Sequence, residues 1–196
     1  TVVAAVAATA PPTGIGHSRR GCPAGGSGAG AGATNTIQTR TVAYATASKL
    51  TVAGAATLEA TSTGATIIAR VLAASAALGI GTTGVGASIG VAVAHNELGV
   101  GTTGSEIRAY LTDTEVKADG LLSLLAKATG TINAGVIAGS AAAAGGAVGL
   151  GVGGAGASAT NRIRVTIATS IEGTRDTGVT ALGIALTGAV RASMSA

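Results

Sequence analysis

Few residues in this chain have the types and spacing for chemistry, and each such group is met by a plainer reading. His17 and Cys22 stand five positions apart and could share a metal ion, but a third ligand is missing nearby, and two ligands make a poor site. They read better as two residues of an exposed loop. Asp113, Glu115 and Asp119 fall within seven residues beside Tyr110 and Lys117, and their oxygens could hold Ca²⁺. No EF-hand or glycine–aspartate nonapeptide pattern accompanies them, so the expected role is to keep an edge strand soluble. His95, Asn96 and Glu97 near Ser88 suggest a base and a nucleophile. Ser88 lacks a nucleophile-elbow context, and the residues matching His95 elsewhere in the chain are Thr34 and Thr160. A unique catalytic base does not fit a repeated position. The glycine-rich runs contain no G-x-x-x-x-G-K-[ST] phosphate loop. The sequence therefore predicts no enzyme, no cofactor and no metal.

The elements that would position these residues are dominated by small side chains. Among 196 residues there are 33 Gly, two Tyr and neither Phe nor Trp. Val, Ile, Leu and Ala must build whatever core exists, which predicts a thin, layered one rather than a large aromatic centre. Charged residues make up 10% of the chain, and the mean hydropathy is +0.56, which argues against intrinsic disorder. The net charge of +4 is spread thinly, with Arg19-Arg20 the only basic doublet, so nucleic acid is not an expected partner. A single cysteine rules out an intrachain disulfide framework. The chain starts at Thr1, and T-V-V-A-A-V-A-A-T-A has no basic n-region. It reads as the interior of a larger protein, or a mature start, rather than a targeting segment.

Alternation organises the rest. From Val85 to Val93 every second residue is Val, Ala, Ile, Val, Val, while Gly84 to Ala94 supplies Gly, Gly, Ser, Gly, Ala, Ala between them. Period 2 is the spacing of a strand with side chains on alternate faces. One face is branched and apolar; the other is small enough for a second layer of backbone to approach closely. Gly26–Ala33 and the run from Ala147 to Gly153 repeat the pattern. A helical reading competes. Ala141, Gly145, Gly149, Gly153 and Ala157 form a small-xxx-small ladder in the uncharged stretch 128–161. Glycine density and alternation favour strands over that reading.

Three segments resemble one another. Thr34-Asn35-Thr36-Ile37, His95-Asn96-Glu97-Leu98 and Thr160-Asn161-Arg162-Ile163 each follow a Gly/Ala run, and each leads into a second motif. That motif carries Tyr44 in the first copy, Tyr110 in the second and Thr166 in the third. Endings follow in T-S-T-G-A-T-I, K-A-T-G-T-I and A-L-T-G-A-V, with the last at 185–190. The structural repeat residues are thus Asn35, Asn96, Asn161, Tyr44 and Tyr110, with Gly120 in the A-D-G turn. The Asn residues are expected to stabilise turns. The chain divides into an irregular partial first unit with an exposed loop over 1–25, where Pro11-Pro12 and Thr13–Gly25 break the pattern, and a repetitive region over 26–196. Units near 35–95 and 96–160 are followed by a partial one over 161–196. The predicted fold is all-β, a repetitive parallel β-solenoid of about three imperfect units near 60 residues.

The succession G-V-G-A-S-I-G-V-A-V-A-H-N-E-L, I-R-A-Y-L-T-D-T-E-V-K-A-D-G and A-K-A-T-G-T-I-N-A resembles the repeats of large bacterial secreted exoproteins, the leukotoxin-like and filamentous-haemagglutinin-like adhesins. The resemblance covers about residues 26–190. It implies a long β-solenoid, a secreted or bacterial cell-surface location, and attachment to a host or matrix surface through glycan or protein. Open strand edges at the ends of such a stack imply self-association. The alternative function is a membrane-active segment that inserts its Gly/Ala runs as hairpins or helices, and only that reading implies membrane contact. Thr pairs such as Thr82-Thr83 do not recur as an ice-binding array would require.

Overall fold

The computed structural model describes residues 2–10, 24–100, 104–173 and 178–196, and all of its regular structure is β-strand. His17, Cys22, nearly all of the predicted 13–25 loop and Thr102-Thr103 lie outside the described residues. After β1 (Val2–Ala10), the chain runs β2 (Ala24–Ile37), β3 (Arg40–Thr46), β4 (Lys49–Val52) and β5 (Ala56–Ile80). The same succession returns as β6 (Thr83–Leu98), β7 (Ser105–Thr112), β8 (Glu115–Ala118) and β9 (Leu121–Gly145). It returns again as β10 (Val148–Ile163), β11 (Val165–Glu172), β12 (Val179–Thr180) and β13 (Gly183–Ser195).

Equivalent strands of successive rounds pair in parallel, which sorts them into four sheets. The long sheet has the order β1-β5-β9-β13, the glycine sheet β10-β6-β2, the tyrosine sheet β11-β7-β3 and the short sheet β12-β8-β4. Asn35 lies opposite Asn96, 61 residues on, and Asn96 opposite Asn161, 65 residues on. A helical Ala141–Ala157 ladder does not form: Ala141 and Gly145 belong to β9, and Gly149, Gly153 and Ala157 to β10. Glycine carries a helix penalty, and strict alternation satisfies a two-faced sheet instead.

The space between opposed sheets tapers along the long strands. At the wide end, Leu122, Leu124 and Ala126 of the long sheet meet Ile107, Ala109 and Leu111 of the tyrosine sheet and Val116 of the short sheet. A narrower layer of Ile67, Leu98 and Ile132 comes next. Beyond it, Ala69, Val71, Ala73 and Ala134 meet Ala31, Ala33, Ala92 and Ala94 of the glycine sheet. Then the buried hydroxyls of Ser75 and Ser88 hydrogen-bond at 2.7 Å. At the tip, β6 turns only Gly84 and Gly86 toward the long sheet. A Cβ on Gly86 would sit 2.6 Å from the Ala143 carbonyl oxygen. The small face read from the sequence is therefore the inner one, and the branched face points outward.

Corners are short. Ala47 and Asp113 each turn the chain with one residue at positive φ, 47° and 48°, between the tyrosine and short sheets. Ser48 Oγ and Thr114 Oγ1 each donate to the carbonyl two residues back, and Ala47 N donates to the Thr112 carbonyl. An alanine in the left-handed region is strained by roughly 1 kcal/mol relative to glycine. Ala47→Gly is thus expected to raise stability by about 0.5–1 kcal/mol, read as a higher urea midpoint at unchanged m-value.

Candidate functional surface

The three repeated asparagines do not sit in turns. Each lies inside a strand of the glycine sheet, next to its C-terminal end, with its side chain turned inward. There they form a ladder. Asn35 Nδ2 donates to Asn96 Oδ1 at 2.8 Å, Asn96 Nδ2 donates to Asn161 Oδ1 at 2.9 Å, and Asn161 Nδ2 reaches the Ser195 carbonyl oxygen at 3.2 Å. A side-chain amide carries both a donor and an acceptor, so a column of them satisfies each member from the rounds above and below. The sequence-level expectation of a turn role is corrected by this inward, strand-borne position.

Tyr44 and Tyr110 lie opposite each other on the outer face of the tyrosine sheet, with ring centroids 5.5 Å apart and planes 14° from parallel. The third copy departs from the alignment read in the sequence. β11 pairs with β7 so that Ser170, not Thr166, lies opposite Tyr110, and Thr166 lies opposite Glu106. The Ile-Arg dipeptides at 107 and 163 suggested the other register. Leu98 to Ser105 takes a six-residue connection, whereas Arg164 alone joins β10 to β11. The third ending is likewise displaced. Thr187-Gly188 pairs with Leu125-Ala126, and Met194 takes the place opposite Ile132.

Charged side chains decorate the same outer face. Arg40 Nε meets Glu106 Oε2 at 3.2 Å, Arg108 Nη1 meets Glu106 Oε1 at 3.3 Å, and the Arg108 guanidinium lies 5.6 Å from the Tyr110 ring centroid. Gln38, Thr39, Arg40, Gly104 and Glu106 line a shallow surface hollow of about 490 Å³. The sequence reading passed over Arg40, Glu106 and Arg108. Their signal was spacing: Arg40 and Glu106 are 66 residues apart, as are Tyr44 and Tyr110. Because this cluster is solvent-exposed, Glu106→Gln is expected to change stability by less than about 1 kcal/mol in thermal unfolding.

The remaining candidates do not converge on a reacting centre. Ser88 faces inward onto Ser75, while His95 faces outward and bonds Glu97 Oε1 at 2.9 Å, so the two lie on opposite faces of β6. Arg162 stands 3.7 Å from the same Glu97 oxygen. Among the described residues no group of three His, Cys, Asp or Glu side chains is placed to hold a metal ion. Glu115 pairs with Lys49 at 2.9 Å, and β8, which carries it, is the central strand of the short sheet rather than an edge. Gly120 lies at the bend before β9. A Cβ there would come within 2.7 Å of the Ala55 nitrogen, which requires glycine at this close approach. Among the described residues no helix is long and apolar enough to cross a membrane.

No protein-family model, curated protein or solved structure matches this chain.

Proposed function

We propose that the chain is a β-solenoid segment acting as a non-catalytic shaft or adhesive surface of a secreted or surface-displayed bacterial exoprotein. The observation that carries this reading is the asparagine ladder. One residue type recurs at one inward position in three successive parallel strands, and each amide bonds the next. Such a column is useful only where rounds stack on one another, which is how a rod is built. The outer face of the tyrosine sheet, with Tyr44, Tyr110, Arg40 and Arg108, would meet the host or matrix partner, whether glycan or protein. Aromatic and arginine side chains are the residue types enriched at binding surfaces. Neither a cofactor nor a nucleic-acid partner enters this reading.

The test is binding of the purified chain to immobilised matrix proteins and glycans, with Tyr44→Ala/Tyr110→Ala as the paired variant. Saturable binding that the variant loses, with an unchanged β-type circular dichroism spectrum, is expected. A folded wild-type chain that binds none of these surfaces would remove adhesion and leave only the shaft.

A second reading, insertion into a membrane as strands, draws on the uncharged 128–161 stretch and the exposed Val148, Leu150 and Val152. Its cost is the edge of β10, which has no further strand beside it among the described residues and whose backbone groups would enter hydrocarbon. Flotation with phosphatidylcholine vesicles separates the two: chain that stays at the bottom of the gradient removes the membrane reading.

A further inference from the structure

We propose that the outer face of the glycine sheet is a self-association surface that takes a second copy of this chain, sheet against sheet. This inference does not rest on adhesion, and a chain that binds no matrix surface leaves it intact.

The face is apolar in a contiguous way. On β6 the outward residues Val85, Ala87, Ile89, Val91 and Val93 form a ridge, with Ile89 61% exposed. Single exposed hydrophobic residues are ordinary on protein surfaces; an uninterrupted row of them is not. Leu150 and Val152 on β10 extend it at the levels of Val85 and Ala87.

Beside the ridge runs a trough of matching length. The outward residues of β2 are Ala24, Gly26, Gly28, Gly30 and Gly32, and Gly28, Gly30 and Gly32 lie opposite Ile89, Val91 and Val93. Space above them is open: a Cβ on Gly26 or Gly30 would meet nothing within 4 Å. Ridge and trough are one strand spacing apart, about 4.8 Å.

A two-fold axis parallel to the strands and midway between β2 and β6 lays each copy's ridge over the other's trough. Strand direction and residue level are kept, so the branched side chains of one copy enter the glycine row of the other. A two-fold interface must be self-complementary, and this face is. Residues 24–37, 83–94 and 148–161 include no charged side chain, so no like charges meet; His95, Glu97 and Arg162 stand beyond the contact. A second copy also suits the outer edge of β10 better than hydrocarbon does, because it leaves that edge in water. The two-strand overlap is on the order of 500 Å² per copy, below the ~800 Å² of a standard interface, so a weak, micromolar dimer is expected.

Sedimentation of the full chain across its soluble concentration range tests this. Wild type is expected to pass from monomer to dimer. Gly28→Val/Gly30→Val fills the trough with residues that strands favour, and Ile89→Lys charges the ridge. Both are expected to weaken the dimer at least about tenfold with the β spectrum unchanged. A wild type that stays monomeric overturns the proposal, as does a trough-filled variant that dimerises equally well. Open-ended oligomers would assign association to strand edges instead. Binding to phosphatidylcholine vesicles that Ile89→Lys abolishes would assign the face to a membrane.

Discussion

Asn96→Ala is expected to destabilise the chain by about 3 kcal/mol in urea unfolding followed by circular dichroism. Asn96 is fully buried at the centre of the ladder, accepting from Asn35 and donating to Asn161. Its removal deletes two hydrogen bonds, each with a net contribution of about 1 kcal/mol. The rest of the effect is what remains behind. The buried Asn35 amide loses its acceptor, and leaving one buried polar group unsatisfied costs about 1–3 kcal/mol. Asn161→Ala supplies the contrast. Asn161 is only partly buried at the outer end of the ladder, so its truncation lets water reach Asn96 Nδ2 as well as the exposed Ser195 carbonyl, and about 1 kcal/mol is expected. Equal losses at the two positions would mean that the ladder is not the stabilising unit.

Gly86→Ala is expected to cost about 3 kcal/mol in the same measurement, at the upper end of overpacking effects. Its new Cβ would lie 2.6 Å from the Ala143 carbonyl oxygen, and that atom belongs to the backbone of a strand paired across the long sheet. A side chain could rotate away; a hydrogen-bonded backbone has to move with its sheet. Gly30→Ala carries the same change one strand over and on the outer face, where the added methyl meets nothing within 4 Å. There the loss of unfolded-state freedom dominates, and stability is expected to rise by about 0.5–1 kcal/mol. Opposite signs for one substitution type separate inner from outer glycines. The same sign at both sites would refute the close approach of the two layers.

Much of this architecture was legible in the residues. Alternation from Gly84 to Ala94 marked a two-faced strand, and the recurrence of Asn and Tyr marked strands that lie opposite each other. The inward ladder was not legible. Asn is common in turns, and only the alternation around Asn96, with Ala94 and Leu98 on its face, separates an inward position from a turn one. The third round was misaligned for a physical reason. Sequence similarity follows short motifs such as Ile-Arg, whereas register follows hydrogen-bonded pairing, and the connection before β11 is five residues shorter than the one before β7. Which face of the glycine sheet looked outward also escaped the usual rule. Branched residues normally go inside, but here the opposed layers come so close that from Gly84 to Ala94 β6 turns only Gly, Ala and Ser inward.

The unequal connections before β7 and β11 have a consequence for how such a chain can diversify. Gly99 N donates to the Ile37 carbonyl and Arg164 N to the Leu98 carbonyl, so the ladder closes at the same step whether six residues follow or one. The strands on either side keep their parallel partners in both cases. Length is therefore a free variable at that vertex, and foreign sequence spliced there would be displayed along one line of the paired sheets, at intervals of one strand spacing, about 4.8 Å.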